Sequence, residues 1–460
     1  MRNSVKKTLQ QKLVVGGAGV SPPVPAGNGS ANFGDPAFRV NKQLPIHRWV
    51  PWIAGFSSDF VDSALSGPRR EKAVVLDPFA GVGTTNIQAR LSGLDSVGFE
   101  INPYAVFACR TKIESYHVDP EALRTAIAEF MHFYWTAMAE HRIPESKPPS
   151  GFKTKKPFYS PKVLRKVLTL FDFINTLNDP RLRDIFRLAF ASTMVVYSNY
   201  SYEPSLCTRS SSGKQDIQDY QVGELFSRRL SMMLEDILLF RSKIDLRSPP
   251  KANIINDSFF NYAHYLSDES VDIVITSPPY LNNYHYNRNT RPQLYWLGFV
   301  AEPREMERFE QANFGNFWQT VRDAERIDIE FSTRQTDIQA VVDAIRKKNP
   351  EKGVYGGEGW ANYVSSYMND CYRFCSSLAS VLRRDGSSLV VIGNSIIQGI
   401  MIPTDKYLGE IGELAGLKLV RIEIPRATRV GNSIIRSTVR VGSTAARERL
   451  YEAVVEFKKV

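Results

Sequence analysis

The run "IVITSPPYLNNY", residues 273–284, is an apolar β-branched stretch that stops on a small hydroxyl, two prolines and an aromatic. Proline has no amide donor and restricts the residue before it, so Pro278 and Pro279 end the strand and stiffen an extended loop. Such a loop aims the carbonyls of Ser277 and Pro278 in fixed directions and presents Tyr280 as a flat face. Those are the parts of a binding loop, although the same residues also make a plain strand stop with an aromatic lid. A second group lies in "KAVVLDPFAGVGTTNIQARLSGLDSVGFEINPY". Here a strand over 73–76 leads into a glycine loop from Asp77 to Gly83, a helix from Thr84 to Leu91, and a strand over 96–99 that ends on Glu100. Glycines at that turn let the backbone approach a ligand, and an acid about 20 residues on can accept both ribose hydroxyls. The spacing is not G-x-G-x-x-G and there is no G-K-[ST], which disfavours nicotinamide cofactors and nucleoside triphosphates. A ligand with adenosine and ribose but no pyrophosphate suits the loop better.

These residues need a scaffold that brings strand ends together. Later segments give a strand over 253–255 ending on Asn256-Asp257, the strand 271–276, and, after a helix "NYVSSYMNDCYRFCSSLASVLRRDG", the strand "SSLVVIGNS". A further helix, the strand "LKLVRIEI" and a closing "LYEAVVEFKK" complete the row. Strands alternating with helices predict an α/β fold, a doubly wound and mostly parallel sheet with a helical insertion. The ligand crevice of such a sheet lies outside the carboxyl ends of its strands, so one crevice can collect Asp77, Glu100, Asp257 and Ser277.

At 460 residues the chain exceeds the size at which a single core stops growing. The expected organisation is a flexible arm over 1–45, a cofactor-binding half over 46–118, a helical insertion over 119–250, and a catalytic half over 251–460 interrupted at about 300–360. The insertion contains "SYEPSLCTRSSSGKQDIQDYQ", read as a long polar loop with a binding role or mobility. The formal net charge of +10 favours polyanionic partners but sets attraction rather than function. No long uncharged apolar run or signal peptide is visible, which predicts a soluble, cytoplasmic protein without a membrane partner. The four cysteines form no CxxC pair, so no metal site is expected, and Cys371 and Cys375 read as small core residues.

Together, "LDPFAGVGTT", "GFEIN", "NDSFF" and "TSPPY" resemble the S-adenosylmethionine-dependent amino-methyltransferases of DNA, which act on N4 of cytosine or N6 of adenine. The resemblance extends to "HRWVPWIAGFSSDFVDSAL" and "LRRDGSSLVVIGNS" and leaves roughly the middle third unassigned. It implies a Rossmann-like methyltransferase fold with S-adenosylmethionine as cofactor. It places Asp77, Pro78, Phe79, Gly81, Gly83 and Thr84 under the methionine portion, helped by Phe56 and Ser57. Glu100 would hold the ribose and Asp257 the adenine amino group. Ser277, Pro278, Pro279 and Tyr280 form the catalytic tetrapeptide, whose serine hydroxyl and Pro278 carbonyl accept from the target amine while Tyr280 stacks on the flipped base.

The chemistry needs those types. An exocyclic amine is a poor nucleophile because its lone pair is delocalised into the ring, and two fixed acceptors favour a pyramidal nitrogen. An amine inside a duplex must be flipped out, and an aromatic face offsets part of the unstacking cost. Carbon-5 methylation would require a nucleophilic cysteine, typically after proline, and none is so placed. Within the family a leading serine resembles the cytosine-N4 group more often and a leading aspartate the adenine-N6 group, so cytosine N4 is the expected target and adenine N6 the alternative.

The expected partner is double-stranded DNA, within a restriction-modification system that includes a restriction endonuclease counterpart, and the enzyme would be a monomer or homodimer. An RNA (tRNA) amino-methyltransferase and a catalytically silent DNA-binding relative are the other readings. Either the 119–245 insertion or the 300–360 stretch could read the bases. The mix "LNNYHYNRNTRPQLYWLGF" suits phosphates and unstacked bases or, alternatively, a lid helix with Leu294, Leu297 and Phe299 inward. His285 reads as a polar contact, and Arg346, Lys347 and Lys348 as a solvated helix end.

Overall fold

The structure, a computed structural model, describes residues 40–52, 55–67, 70, 72–203, 205–281, 286–332, 337–427 and 450–460. Residues 1–39 of the arm expected over 1–45, and His285, lie outside the described residues, whereas the end of that segment is ordered, with a 3-10 turn Val40–Lys42 and a buried Asn41.

Seven strands form the main sheet: β1 Val74–Asp77, β2 Asp95–Phe99, β3 Ala252–Ile255, β4 Val271–Thr276, β5 Leu382–Gly393, β6 Leu417–Ala427 and β7 Tyr451–Lys459. Their order is β6-β7-β5-β4-β1-β2-β3. All neighbours are parallel except β7, which runs antiparallel to both β5 and β6. This is the doubly wound, mostly parallel sheet expected from the sequence, with the strand order of the Rossmann-like methyltransferase fold. From β1 the chain winds outward through β2 and β3, then returns to lay β4 on the other side of β1. The switch point therefore falls between β1 and β4.

Side-chain alternation tells which layer each strand residue serves. Val75, Ile275, Leu389 and Val391 point to one layer with Phe60, Val61 and Ala89, whereas Leu76, Val274, Val390 and Ile392 point to the other with Met368, Phe374 and Leu408. Burial on both faces is why these strands read as nearly continuous apolar runs. β5 begins at Leu382, earlier than the "SSLVVIGNS" segment suggested, and the register to β4 shifts between Leu382 and Ser387. Asp385, in the left-handed region at φ 65°, sits inside that irregular stretch.

The residues between β2 and β3 are mostly helical. Three of the helices after residue 118 open on a capping residue followed by proline: Pro120–Ala139 on Asp119, Pro161–Thr176 on Ser160, and Pro180–Thr193 on Asp179. In each, the side chain of the cap accepts an amide hydrogen bond while proline fills the first position, where no donor is needed. With Val222–Arg241 they enclose an aromatic core in which Phe130 meets Phe226 edge-on at 5.0 Å and Phe173 at 5.5 Å. The first part of the segment read as a polar loop is instead a two-stranded antiparallel ribbon, Tyr200–Tyr202 against Leu206–Thr208, followed by a short 3-10 turn. Tyr200 and Leu206 give it an inner face that the polar residues around them hide in the sequence.

The insertion is not a separate body: the described residues from 40 to 460 belong to one compact unit. Its core continues into Val82, Ile87 and Cys109 behind the glycine loop, and into Leu294, Tyr295, Trp296 and Leu297 after the proline loop. Those aromatics are thus packed inward. Arg346 also departs from expectation: its side chain is only 10% exposed, pairs with Glu358, and donates to the Ile327 carbonyl at 3.1 Å. Among the described residues no helix is long and apolar enough to cross a membrane.

One buried carboxylate ties the N-terminal segment to the insertion. Asp236 accepts from the Ile46 amide (3.0 Å), Arg48 Nε and Nη2 (3.0 and 2.6 Å) and Trp49 Nε1 (2.9 Å). Replacing Asp236 by alanine leaves these donors unpaired, and the expected loss is roughly 3–5 kcal/mol of stability. Denaturant unfolding of Asp236→Ala against wild type checks this, and a change under about 1 kcal/mol would show the cluster to be dispensable.

Candidate cofactor and catalytic site

A cavity opens at the carboxyl ends of β1, β2, β3 and β4. Phe56, Pro78, Phe79, Gly81, Thr84, Glu100, Asp257, Ser277 and Pro279 all line it. Nine of the residues singled out from the sequence therefore meet in one crevice, although they come from segments spread over more than two hundred positions.

Gly81 sits at φ +51°, and a Cβ there would stand 3.0 Å from Trp52 Nε1. Glycine is thus required both by the turn and by the close approach of the loop to Trp52. Gly83, at φ +86°, has a different reason: a Cβ would fall 2.4 Å from Cys109 Sγ, behind the loop rather than in the cavity. Lys112, buried nearby, donates from Nζ to the Val82 carbonyl at 2.8 Å and so braces the loop from the same side.

Glu100 receives the Gly81 amide on Oε2 (3.0 Å) and the Asn102 amide on Oε1 (2.8 Å). Burial lifts its carboxyl to about 7; those two amides oppose the rise and the charge of Asp77 adds to it. Asp257 behaves oppositely. Burial would raise it, but Asn261 Nδ2, the Ser258 amide and the Tyr265 hydroxyl all donate to it and hold it below the usual carboxylate range. Phe79 and Phe314 meet edge-on at 5.2 Å, and Phe260 stacks on Phe314 at 6.1 Å, forming an aromatic wall near Asp257.

Besides Gly83, four of the expected residues do not line the cavity. Asp77 is buried beneath it, accepting on Oδ1 from Thr276 Oγ1 (2.6 Å) and the Phe79 amide (3.0 Å), and burial raises it to about 6. Ser57 caps the helix Ser58–Leu65 by accepting from the Phe60 amide at 3.1 Å. Pro278 is buried. Tyr280 lies on Gly393, where a Cβ would come within 2.9 Å of its ring, and its hydroxyl donates to Glu452 at 3.2 Å. Ser277 donates to that same hydroxyl at 3.5 Å, the long end of the range. From the other side, the Tyr367 hydroxyl donates to the Pro279 carbonyl at 3.0 Å.

The cavity also contains residues not singled out beforehand: Trp52, Asn102, Asn287 and Phe314. Asn102 caps the helix Pro103–Glu114 through its Oδ1 and donates from Nδ2 to Thr290 (2.8 Å) and Asn287 (3.3 Å). The Asn-Pro pair after Glu100 was a legible helix start that could have marked it. Phe314 comes from a stretch without a motif.

The crevice suits an adenosine-bearing ligand. The loop over Gly81 is a cradle that any side chain would fill, and the Asn287 Nδ2 donor lines the cavity, buried without a hydrogen-bond partner among the described residues. A carboxylate pair at the ends of β2 and β3 supplies acceptors for hydroxyls and an amine.

No family model matches the chain. Curated relatives match most of its length. Type II methyltransferase M.BsoBI of Geobacillus stearothermophilus is 25% identical over 86% of this chain and 83% of its own. M.AvaI of Nostoc sp. is 22% identical over 86% and 84%, and M.MvaI of Kocuria varians 21% over 73% of each chain. Among solved structures, the rRNA methyltransferase aviRa from Streptomyces viridochromogenes covers 89% of this chain and 87% of its own at 9% identity, with a TM-score of 0.29. The fold assignment therefore rests on the strand order. Over most of its length the chain is thus similar to type II methyltransferases, and its methyl donor is S-adenosylmethionine.

Proposed function

We propose that the protein transfers a methyl group from S-adenosylmethionine to N4 of a flipped cytosine in double-stranded DNA, as the methyltransferase of a restriction-modification system. The observation that carries this reading is the meeting of Ser277 and Pro279 with Glu100, Gly81 and Asp257 in one cavity. One acceptor for the amine, Ser277, and the groups suited to the cofactor then share one space. The serine that leads the tetrapeptide supports cytosine over adenine.

When bound, the cofactor supplies an electrophilic methyl on a sulfonium. The chain does the rest by position and charge. Glu100 holds the ribose hydroxyls and Asp257 the adenine amine, with Phe56, Pro78, Phe79 and Thr84 around them. Ser277 Oγ and the Pro278 carbonyl accept from the two N–H groups of the target amine, which turns its lone pair toward the methyl. The Tyr280 ring stacks on the extruded base, kept in place by Gly393 and Glu452. The proton on the amine leaves after attack, so no strong base is required at the acceptor.

The test is transfer of labelled methyl from S-adenosylmethionine to unmethylated bacterial DNA, with nucleoside mass spectrometry of the product. N4-methylcytosine is expected. N6-methyladenine would overturn the base assignment, and label in RNA alone would overturn the DNA reading.

Two variants separate the roles. Tyr280→Ala is expected to lower kcat/KM by the equivalent of about 1–3 kcal/mol, the worth of one base–aromatic stack, with cofactor affinity unchanged. Gly81→Val is expected to abolish cofactor binding, since a β-branched residue meets both a forbidden backbone region and Trp52. Calorimetric titration with S-adenosylmethionine decides, and weakened binding in Tyr280→Ala would refute the stacking role.

The raised carboxyl of Glu100 gives a pH dependence. Its folded value of about 7 lies above the ordinary 4.5, so this group's contribution to stability declines as pH rises from 4.5 to 7. Ribose hydroxyls that donate to the ionised form shift the balance the other way. Cofactor affinity should therefore rise from pH 6 to pH 8, by no more than about tenfold per unit. Glu100→Gln should bind weakly with a flat profile, whereas a flat profile in wild type would contradict the assignment.

A further inference from the structure

A second cleft adjoins the cofactor cavity, and Trp52 lines both. Its walls carry Tyr104, Tyr200 and Tyr202, the last two from the ribbon of the insertion. Two amide side chains line it, each more than nine-tenths buried: Asn289 (4% exposed) and Gln293 (5%). Their orientations are fixed by the surrounding network. Gln293 Nε2 donates to the Tyr202 hydroxyl (3.2 Å) and the Ala191 carbonyl (3.4 Å), while Asn289 Oδ1 accepts from the Leu206 amide (2.9 Å). What remains is Gln293 Oε1 and Asn289 Nδ2, one acceptor and one donor, both buried without a hydrogen-bond partner among the described residues. Such groups are costly to leave unmade.

The charge around them has one sign. Lys42, Arg209 and Lys214 line the cleft, and among the described residues that line it there is no carboxylate. Lys214 pairs with Glu203 outside the lining, and Arg209 Nε donates to the Gln215 carbonyl at 2.7 Å. Aromatic faces, an unpaired acceptor, an unpaired donor and cations are together the parts that hold a nucleotide: a π-surface for the base, hydrogen-bonding groups for its edge, and positive charge for its phosphate.

We propose that this cleft binds a nucleotide of the DNA substrate other than the one methylated, and that it contributes to sequence recognition. The inference rests on the methyltransferase reading above. Ser277 and Pro279 line the first cavity and not this cleft, so the target base and this nucleotide occupy different places. The acceptor and the donor match a base edge that offers an N–H beside a ring nitrogen, as adenine and cytosine do. The ribbon that supplies two of the walls is thereby the part of the insertion that touches DNA.

The experiment uses the full chain, unmethylated bacterial genomic DNA and labelled S-adenosylmethionine. Asn289→Asp keeps the Leu206 contact and turns the free donor into an acceptor. It should lower kcat/KM for DNA about ten- to a hundredfold, the worth of one base-reading pair, with cofactor affinity at the wild-type value. Retained cofactor affinity also shows that the variant is folded. Arg209→Ala should reduce the slope of log DNA affinity against log salt by about one. If wild type labels DNA while both variants match it in kcat/KM and salt slope, the cleft proposal fails and the methyltransferase reading stands. If wild type transfers no methyl to DNA, the parent reading fails. Stoichiometric binding of free dAMP or dCMP that Arg209→Ala abolishes, with kinetics on DNA unchanged, would assign the cleft to a free nucleotide and overturn the proposal.

Discussion

The hydrogen bond from Thr276 Oγ1 to the buried Asp77 carboxylate, at 2.6 Å, is the constraint on which the site depends. It joins the last residues of β1 and β4, the two strands between which the direction of winding reverses. Immediately after it the chain parts into the glycine loop on one side and the proline loop on the other. Asp77 also accepts from the Phe79 amide, so the same carboxylate sets the first turn of the glycine loop. A second tie runs alongside, from Thr85 Oγ1 to the Ile275 carbonyl at 3.1 Å. Two loops that line one cavity thus leave the sheet from a shared, desolvated junction. Misplacement at such a junction would be felt by both loops. Burial lifts Asp77 to about 6, a cost the fold tolerates because the carboxylate orders two strand ends at once.

Beyond that junction the proline loop is held from several elements. Tyr367, on the helix Gly357–Val381, donates to the Pro279 carbonyl; Ser395 donates to the Leu281 carbonyl at 2.6 Å; Glu452 on β7 receives the Tyr280 hydroxyl. The prolines limit the conformations available to the loop before folding, and these contacts select one of them. Gly393 and Gly315 clear the space, since a Cβ at either would press on the rings of Tyr280 and Tyr367. A rigid proline loop is therefore a property of β5, β7 and one long helix as much as of the tetrapeptide.

Much of this was legible in the residues. The helix Thr84–Leu91 and the strand Val271–Thr276 stand at the boundaries that periodicity and proline gave, because both are bounded by residues with strong backbone preferences. The convergence of Glu100, Asp257 and Ser277 was legible because each ends a parallel strand. The ribbon over 200–208 was not, since three-residue strands offer too little alternation to separate from a polar loop. The burial of Arg346 was hidden for a related reason: its partners Glu358 and Ile327 lie on elements whose placement no local pattern fixes. Gly83 was read as a cofactor contact, but its side faces Cys109; a glycine motif records that a Cβ is excluded without saying by what. Trp52 escaped notice because its importance comes from its approach to Gly81.

The placement of the helical insertion has a mechanical consequence. Its core includes Val82, Ile87 and Cys109 behind the cofactor loop, and Leu294 to Leu297 just after the proline loop. Asn102 strengthens this connection by bonding to Asn287 and Thr290, which links the end of β2 to the segment that follows the tetrapeptide. An element packed into one close-fitting core cannot shift without disturbing its neighbours, because protein interiors have few voids to absorb movement. Contacts made on the surface of the insertion therefore bear directly on the walls of the cofactor cavity. A recognition region joined by a flexible linker would have to dock before it could influence the chemistry; here the sheet, the insertion and both loops already share one body.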